Sequence, residues 1–251
     1  MPPAGANARP EVRYGLALDL GTSTVRLWTP QADRVITEPA VLCRPRRGRQ
    51  VAGRAALAAQ AEGAAATWPV RGGVVRDYFA CVHLLRLLTA TIAVPSHTAF
   101  PVVVGVPATA TARERSVLVA AVRRAVGGRV RAVQEPLAAA LACRTDPGCG
   151  DLVVVDVGSG RTEVARIRGH SVVAAVRVDD AGPVDRIPAI AECVRRLDHP
   201  DDERRRLLLT GGGAAAPGVA ARLAALTARS VTMPADPTLA TLTGLRRLLA
   251  G

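Results

Sequence analysis

Short apolar runs alternate with segments of helical periodicity along the whole chain. In the first half, continuous apolar runs predict strands, and apolar positions spaced three and four residues apart predict helices. The predicted strands are Tyr14–Asp19, Val25–Trp28, Thr37–Cys43, Pro101–Val106 and Arg129–Gln134. The predicted helices are Gly48–Ala61, Asp77–Thr91, a helix that Thr111 caps and Gly127 ends, and Pro136–Cys143.

The second half shows the same alternation after a linker, Thr145–Gly150, that is rich in turn-forming residues. Its predicted strands are Leu152–Asp156, Thr162–Ile167, Ser171–Val178 and Leu207–Thr210. Its predicted helices are Ile187–Leu197, Pro217–Thr227 and Pro237–Ala250. Strands and helices alternate in both halves, which predicts the α/β class.

The two halves open on the same pattern. Leu16–Thr22 reads L-A-L-D-L-G-T, and Val153–Ser159 reads V-V-V-D-V-G-S. Each is an apolar strand that ends in Asp, followed by a turn with Gly and a small hydroxyl residue, and each is followed by a returning strand. This indicates an internal duplication of one strand–turn–strand unit.

The repeated turn predicts anion binding. A turn with Gly and a small residue exposes successive backbone N–H groups, and such a nest holds phosphate. The Asp before it cannot attract phosphate, but Asp19 and Asp156 are suited to hold a hydrated Mg²⁺, which prefers one or two carboxylates plus water and phosphate oxygens. Two such hairpins facing each other would clamp a polyphosphate from both sides.

Two further segments fit a phosphate-handling site. Glu135 stands at a strand-to-helix junction, where a carboxylate could orient a water against a terminal phosphate; in the alternative interpretation it only favours the dipole of the next helix. Gly211, Gly212 and Gly213 follow an apolar strand and precede a helix. Such a loop lets a ligand approach the backbone closely, although a simple connector would also use glycine.

Composition narrows the possible partners. Hydrophobic residues form 49% of the 251-residue chain, which is enough for a core, whereas aromatic residues form 2%. The net charge is +12, and the basic residues are all Arg, which fits either an anionic partner or a coding bias. The basic clusters are not interleaved with aromatic residues, so nucleic acid is not expected as a partner. Five cysteines without metal-ligand spacing, and no run long enough to span a membrane, favour the cytoplasm.

These motifs, taken together and in order, resemble the actin-like ATPase superfamily. The resemblance covers nearly the whole chain through five segments: a first phosphate motif Asp19–Thr24, a first connecting motif Gln134–Leu141, a second phosphate motif Asp156–Val164, an adenosine motif Leu208–Gly213 and a second connecting motif Asp236–Gly244.

Within this superfamily the chain is similar to the MreB/Mbl-type bacterial actins. Three stretches carry that likeness: T-E-P-A-V at Thr37–Val41, P-V-R-G-G-V-V-R-D at Pro69–Asp77, and Val103–Pro107 followed by Thr111–Arg115. The resemblance implies an actin-like (ribonuclease H-like) fold with two similar α/β domains around a nucleotide cleft. It further implies binding of ATP or ADP with Mg²⁺ and a part in bacterial cell shape and cell-wall organisation.

The resemblance also assigns roles to single residues. Asp19 and Asp156 would hold Mg²⁺ through water, and Glu135 would position the hydrolytic water. Phosphate contacts are implied for Gly21, Thr22, Ser23, Gly158, Ser159, Gly160 and Arg161. Nucleoside contacts are implied for Gly211, Gly212 and Gly213.

Two departures from the family pattern stand out. Ser159 and Arg161 occupy positions where the family has Gly and Thr, and Arg161 would either grip the phosphates or obstruct the loop. Between Val178 and Leu207 the chain is too short for the second small subdomain of the family, which forms one wall of the adenine pocket. We therefore expect a reduced form of the fold.

The expected domain organisation follows from the resemblance. It comprises a flexible tail over residues 1–13, a first domain over 14–144 with a compact small subdomain near 38–67, and a reduced second domain over 150–235, with a helix over 236–251 that packs back on the first domain.

The functional prediction has two forms. In the first, the chain is an MreB-like ATP-binding protein, with at most slow ATP turnover, that co-assembles with a full-length bacterial actin or with cell-wall synthesis proteins. In the second, it is a non-catalytic actin-fold interaction module that has lost turnover. A peripheral position at the inner membrane through the net positive charge is compatible with both forms, although residues 1–13 offer no apolar anchor. A sugar-kinase-like or chaperone-like ATPase fits the chain length and the family stretches less well.

Overall fold

The computed structural model describes residues 14–45, 48–90, 92, 100–143, 151–178, 185–197 and 206–250. The expected tail over residues 1–13 and the predicted linker Thr145–Gly150 lie outside these residues. In the described part of the chain, no helix is both long enough and apolar enough to cross a bilayer.

The first of two large sheets has five strands in the order β10-β9-β1-β2-β3. Its strands are β1 (Leu16–Leu20), β2 (Thr24–Trp28), β3 (Val35–Pro39), β9 (Pro101–Val106) and β10 (Arg129–Gln134). The first two pairs in chain order, β1–β2 and β2–β3, are antiparallel hairpins, whereas β9 pairs in parallel with β1 and with β10. The predicted hairpin of the first repeat is therefore present, and its turn lies at one end of the sheet.

Helices cover both faces of the first sheet. Helices α2 (Tyr78–Thr89) and α3 (Ala112–Val126) pack on one face and form the largest apolar core with β1, β2 and β9. Helix α3 begins with the predicted capping box, in which Thr111 and Glu114 satisfy each other's backbone N–H groups. The opposite face packs against α4 (Glu135–Ala142) and α7 (Ala240–Ala250) through residues such as Ala138 and Leu245.

The second large sheet repeats this topology. Its strand order is β13-β12-β11-β14-β15. The strands are β11 (Asp151–Val157), β12 (Thr162–Arg168), β13 (Ser171–Val178), β14 (Arg206–Thr210) and β15 (Ser230–Thr232). As in the first sheet, β11–β12 and β12–β13 are antiparallel, and β14 pairs in parallel with β11 and β15. The duplication seen in the sequence is thus a duplication of sheet topology.

Helices also cover the second sheet. Helices α5 (Ile187–Arg196) and α6 (Val219–Thr227) pack on one face, and α4 contributes Ala140 to the core on the other. Helix α4 therefore lies between the two sheets. Between β13 and β14 the described residues contain α5 as their one regular element, which agrees with the expected reduction of this region.

The predicted strand Thr37–Cys43 is wrong as a single element. It is split into β3, which ends at Pro39, and β4 (Leu42–Arg44), which joins a separate small sheet. Proline has no N–H to continue the ladder, and the next amide, that of Ala40, is bonded to the carbonyl of Ser23. The side chains of Val41 and Cys43 then pack below α1 instead of on the first sheet.

The predicted helix Gly48–Ala61 is also shorter than expected. Helix α1 covers Arg54–Ala61, preceded by β5 (Val51–Ala52) and by Gly53 at a φ of 65°. Strands β4, β5 and β6 (Ala65–Thr67) form the small sheet. A second short ribbon, β7 (Val70–Arg71) and β8 (Val74–Val75), ends in a Gly72-Gly73 turn that the sequence analysis did not assign.

The C-terminal segment returns to the first sheet. The predicted helix Pro237–Ala250 divides into a 3₁₀ turn (Pro237–Leu239) and α7. A Cβ on Gly244 would lie 1.7 Å from the carbonyl oxygen of Ala138, so α7 crosses α4 at a distance that admits only glycine. Gly244 is therefore a close-packing residue.

Candidate functional site

The turns of the two repeated hairpins meet at one cleft. We call residues 21–23 the first turn and residues 158–161 the second turn. The Oγ atoms of Ser23 and Ser159 lie 2.8 Å apart, and a Cβ on Gly160 would lie 2.8 Å from the methyl carbon of Thr22. The two sheets therefore face each other through the turns that the sequence pattern selected.

The cleft collects residues from every predicted motif. Its volume is about 180 Å³, smaller than the roughly 300 Å³ at the lower end of ligand pockets. Its lining consists of Asp19, Gly21, Thr22, Ser23, Thr24, Arg26, Gly73, Glu135, Asp156, Gly158, Ser159, Gly160, Arg161, Gly211, Gly212, Pro237, Thr238 and Thr241.

The same backbone bond closes both turns. The N–H of Gly21 donates to the carbonyl of Thr24, and the N–H of Gly158 donates to the carbonyl of Arg161, each at 2.9 Å. A Cβ on Gly158 would lie 2.8 Å from that Arg161 carbonyl oxygen. Glycine is needed here because the returning strand passes too close for any side chain.

Asp19 lies at the end of β1 and is buried in the cleft. Nη1 of Arg26, its neighbour across the hairpin, donates to Oδ2 at 3.1 Å. Burial raises the pKa of Asp19 above its usual value, and Arg26 opposes this effect. The carboxylate therefore lacks full compensation in the protein alone.

Asp156 holds the corresponding position at the end of β11. Burial raises its pKa from the usual 3.8 to about 6, the negative charge of Asp19 adds to the rise, and the charge of Arg161 opposes it. The charge of Asp19 thus acts on Asp156, and both repeated carboxylates line one cleft. They do not lie on distant faces of the molecule.

Glu135 is the first residue of α4 and is buried in the same cleft. Burial raises its pKa well above the usual value; the positive charge of Arg161 opposes the rise, and Asp19 and Asp156 add to it. Nη2 of Arg161 lies 3.3 Å from Oε2 of Glu135. The helix dipole alone does not account for this residue, because its carboxylate points at a guanidinium from the other sheet.

The side chain of Arg161 crosses the cleft. The sequence did not predict where this side chain points. Its side chain is buried, and Nη1 donates to the Gly72 carbonyl at 3.1 Å. A Cβ on Gly73 would meet Cζ, Nη1 and Nη2 of Arg161, each at 2.9 Å, so the guanidinium lies flat against this glycine. The Gly72-Gly73 turn, to which the sequence analysis assigned no role, thus contacts the site.

Glu163 is a residue that the sequence analysis missed. It is 1% exposed, and its carboxylate accepts bonds from the N–H groups of Ala108 and Thr109 and from the Thr109 hydroxyl, at 2.6 to 2.9 Å. These partners follow β9 of the first sheet, so Glu163 ties the second sheet to the first. Its one sequence signal is an acidic residue near the start of the strand that follows the second turn.

The triple-glycine loop divides into two roles. Gly211 has a φ of 90°, and a Cβ there would lie 2.3 Å from Oδ1 of Asp156. Gly211 and Gly212 line the cleft, whereas Gly213 lies against Val157 and donates its N–H to the Val157 carbonyl at 2.8 Å. The structure therefore brings two of the three predicted nucleoside-contacting glycines to the cleft and places the third beneath β11.

The cleft residues fit a hydrated magnesium ion. Carboxylates are hard oxygen donors of the kind that Mg²⁺ takes, and burial raises the pKa of both Asp19 and Asp156, a penalty that a cation would relieve. In the described residues, no three acidic, His or Cys side chains are grouped to ligate a bare metal ion. That Asp19 and Asp156 would hold the ion through water stays a prediction.

Comparisons with known proteins agree with this geometry. The model of the family described as MreB/Mbl protein matches residues 13–197. The cell shape-determining protein MreB of Pasteurella multocida is 30% identical over 196 residues, or 72% of this chain and 55% of that protein. The MreB of Escherichia coli K12 is 31% identical over 195 residues, with the same shares of both chains. The chain thus spans about half the length of these curated relatives.

Solved structures show the same fold. MreB5 of Spiroplasma citri bound to AMPPNP has a TM-score of 0.82 and 18% identity, with 95% of this chain and 96% of that chain covered. The MamK double helical filament has a TM-score of 0.75 and 20% identity, with 93% and 98% covered. Since the fold is actin-like and the family model matches most of the chain, the chain belongs to the MreB/Mbl family.

Proposed function

We propose that this chain is an MreB-like bacterial actin homologue that binds ATP or ADP with Mg²⁺ in the cleft and takes part in organising cell shape. One observation carries the proposal: the carboxylates that end β1 and β11 lie in one buried cleft, together with both phosphate-type turns and Glu135. The Spiroplasma citri MreB5 structures with AMPPNP and with ADP support a nucleotide as the ligand.

Each group has a proposed task. The backbone N–H groups and hydroxyls of the two turns would hold phosphate oxygens, since both turns present small residues at the cleft. Asp19 and Asp156 would hold the hydrated magnesium ion, which supplies charge neutralisation to the phosphates when bound. Gly211 and Gly212 would let a nucleoside approach the backbone, because a side chain at Gly211 would collide with Asp156.

Calorimetric titration of the full chain with ATP or ADP in excess Mg²⁺ tests the binding proposal. We expect saturable binding in the wild type and its loss in Asp19→Ala and in Asp156→Ala. Asp33→Ala is the matched control, because that aspartate is exposed and lies outside the cleft. Absence of binding at millimolar nucleotide would refute the proposal. If both cleft variants still bind nucleotide, the nucleotide site lies outside this cleft.

ATP hydrolysis distinguishes two forms of this function, an ATPase and a nucleotide-binding module without turnover. Glu135 is the candidate for positioning the hydrolytic water, but in this structure its carboxylate is paired with Arg161. That pair favours the second candidate, a nucleotide-binding module without turnover. Phosphate release by wild type and by Glu135→Ala decides between them: a wild-type rate above that of the variant supports an ATPase, and two equal background rates support the module.

We further propose assembly with a full-length bacterial actin or with cell-wall synthesis proteins at the cytoplasmic face of the inner membrane. The MamK structure with the same fold is a filament, and the curated relatives are cell shape-determining proteins. Electron microscopy of the chain with ATP, alone and mixed with a full-length homologue, tests co-assembly. Co-sedimentation with anionic and neutral vesicles tests whether the charge of +12 gives weak, salt-sensitive membrane attraction.

A further inference from the structure

Arg161 places a fixed positive charge among the acidic groups of the cleft. We propose that this guanidinium is a built-in cation that takes over part of the charge neutralisation of Mg²⁺, so that polyphosphate binding by this chain depends less on the metal. The inference rests on the proposed nucleotide function and adds to it a residue that decides how the phosphates are recognised.

The charge balance of the cleft supports this role. The negative charges of Asp19 and Glu163 raise the pKa of both Glu135 and Asp156, and guanidinium charge from Arg161 lowers it in both. Arg26 is bonded to Asp19 within its own hairpin, and its charge also lowers the pKa of Asp156. Arg161 lowers the pKa of Glu135 on α4 and of Asp156 on β11, and its Nη2 lies 3.3 Å from Oε2 of Glu135. It is therefore the guanidinium that contacts Glu135 while it also acts on Asp156.

The guanidinium is held in place before any ligand binds. Its side chain is buried, one end donates to the Gly72 carbonyl, and its plane lies on Gly73, which has a φ of 72°. A side chain at residue 73 would displace it. Little conformational entropy remains to be lost when this group meets a phosphate, so the site is preorganised for an anion.

The chemistry of guanidinium suits phosphate oxygens. Arginine remains charged at any physiological pH and offers paired N–H donors that match phosphate geometry. Arg161 belongs to the second turn, whose backbone lines the same cleft, so a phosphate at that turn lies within reach of the guanidinium. Such a contact supplies positive charge without requiring a metal ion.

The test compares nucleotide affinity in excess Mg²⁺ with affinity in excess EDTA, for wild type, Arg161→Gln and Arg161→Lys. Arg168→Gln is the matched control, because Arg168 ends β12, the strand that follows Arg161, but pairs with Asp151 outside the cleft. We expect removal of Mg²⁺ to weaken wild-type binding by less than about tenfold. In EDTA, Arg161→Gln should bind about 10- to 100-fold more weakly than wild type, the range for a hydrogen bond to a charged group. Arg161→Lys should lie between the two, because it keeps the charge and loses the paired donors.

The outcomes separate this inference from the proposed function. If wild type binds ATP only in Mg²⁺, or if Arg161→Gln shows the wild-type ratio of the two affinities, the built-in cation is refuted and the nucleotide site stands. If Arg161→Gln binds more tightly in both media, the guanidinium is an obstruction and the inference fails. If wild type binds in neither medium, the proposed function itself fails. Circular dichroism melting of each variant shows whether it is folded, and the wild-type ratio provides the test even if Arg161→Gln does not fold.

Discussion

At the scale of single residues, the cleft concentrates carboxylates that the folded protein holds at a cost. Burial raises the pKa of Asp19, Glu135 and Asp156. In each case a nearby guanidinium lowers the pKa again, but not back to its usual value. Groups arranged for charge chemistry commonly destabilise the ligand-free fold, because desolvation exceeds the pairing energy. Removing such a charge should therefore stabilise the protein and abolish its function.

Asp156→Asn tests this trade-off. The folded-state pKa of about 6 lies above the usual 3.8, so the native protein binds this proton more tightly, and its stability falls as pH rises through that window. At pH 7 the difference corresponds to about 3 kcal/mol, and Asn avoids this penalty. We expect Asp156→Asn to raise the free energy of urea unfolding at pH 7 by up to that amount.

The same measurement near pH 4 supplies the control, because there the native carboxyl is already protonated and the advantage of Asn should be lost. Asp33→Asn, at an exposed side chain, should have no such pH-dependent effect. An Asn variant that is less stable than wild type at pH 7 would show that Asp156 makes a net stabilising contact.

Proton competition should also appear in metal-dependent binding. Magnesium needs the deprotonated carboxylate, and the pKa of Asp156 is about 6. We expect the affinity for the magnesium–nucleotide complex to be nearly constant above pH 7 and to fall by about tenfold per pH unit below pH 6. Calorimetric titrations between pH 5 and pH 8 measure this; a flat profile would exclude Asp156 from holding the ion.

At the scale of elements, α4 is the helix that both sheets share. It begins with Glu135 in the cleft. Its Ala138 packs in the core of the first sheet, and its Ala140 packs in the core of the second. Helix α7 crosses it at Gly244. The position of Glu135 is therefore set by helix packing on the side away from the cleft. A change in the packing of α7 on α4 should therefore alter the position of Glu135, although no residue of the cleft is substituted.

Gly244→Ala tests this coupling. A Cβ at Gly244 would overlap the Ala138 carbonyl, so α7 must move away from α4. We expect the free energy of unfolding to fall by about 1 to 3 kcal/mol, as for other overpacked sites, together with weaker nucleotide binding. Thr243→Ala, one residue earlier on α7, is the control and should leave both quantities close to wild type. Wild-type stability of Gly244→Ala would mean that the two helices can separate freely.

At the scale of the whole molecule, the two sheets repeat one topology and are linked by polar contacts between distant parts of the chain. Arg161 binds Glu135 and Gly72, Ser23 meets Ser159, and Glu163 accepts bonds from Ala108 and Thr109. These links join residues that are 26 to 136 positions apart in the chain. The cleft is therefore a product of how the two sheets are held against each other.

Glu163→Ala should loosen this arrangement. It leaves the amides of Ala108 and Thr109 without their charged acceptor, and each such loss costs about 1 to 3 kcal/mol. We expect a lower melting temperature and, in calorimetric scans, a broader or split transition as the two sheets unfold less cooperatively. Glu192→Ala, at an exposed glutamate that pairs with Arg195 on its own helix, is the control. An unchanged, single transition in Glu163→Ala would show that the apolar packing of α4 alone couples the sheets.

Much of the fold was predictable because its signals are local. The paired D-x-G turns, the Thr111–Glu114 capping box and the glycine at residue 244 each act on near neighbours or on one close contact. The incorrect predictions also have local causes, because single residues interrupt elements that the hydrophobic pattern alone would continue. The run Thr37–Cys43 has the composition of one strand, but Pro39 ends the ladder and the small sheet takes the rest.

The sequence by itself determined the repeated hairpins, the alternation of strands and helices, and the residue types that gather at the cleft, because each depends on spacing along the chain. Only the tertiary structure decided where Arg161 points, what Glu163 binds and that Gly213 lies beneath β11 while its two neighbours reach the cleft. A side chain's partner across a cleft depends on the packing of two sheets, and neighbouring residues carry no signal for it.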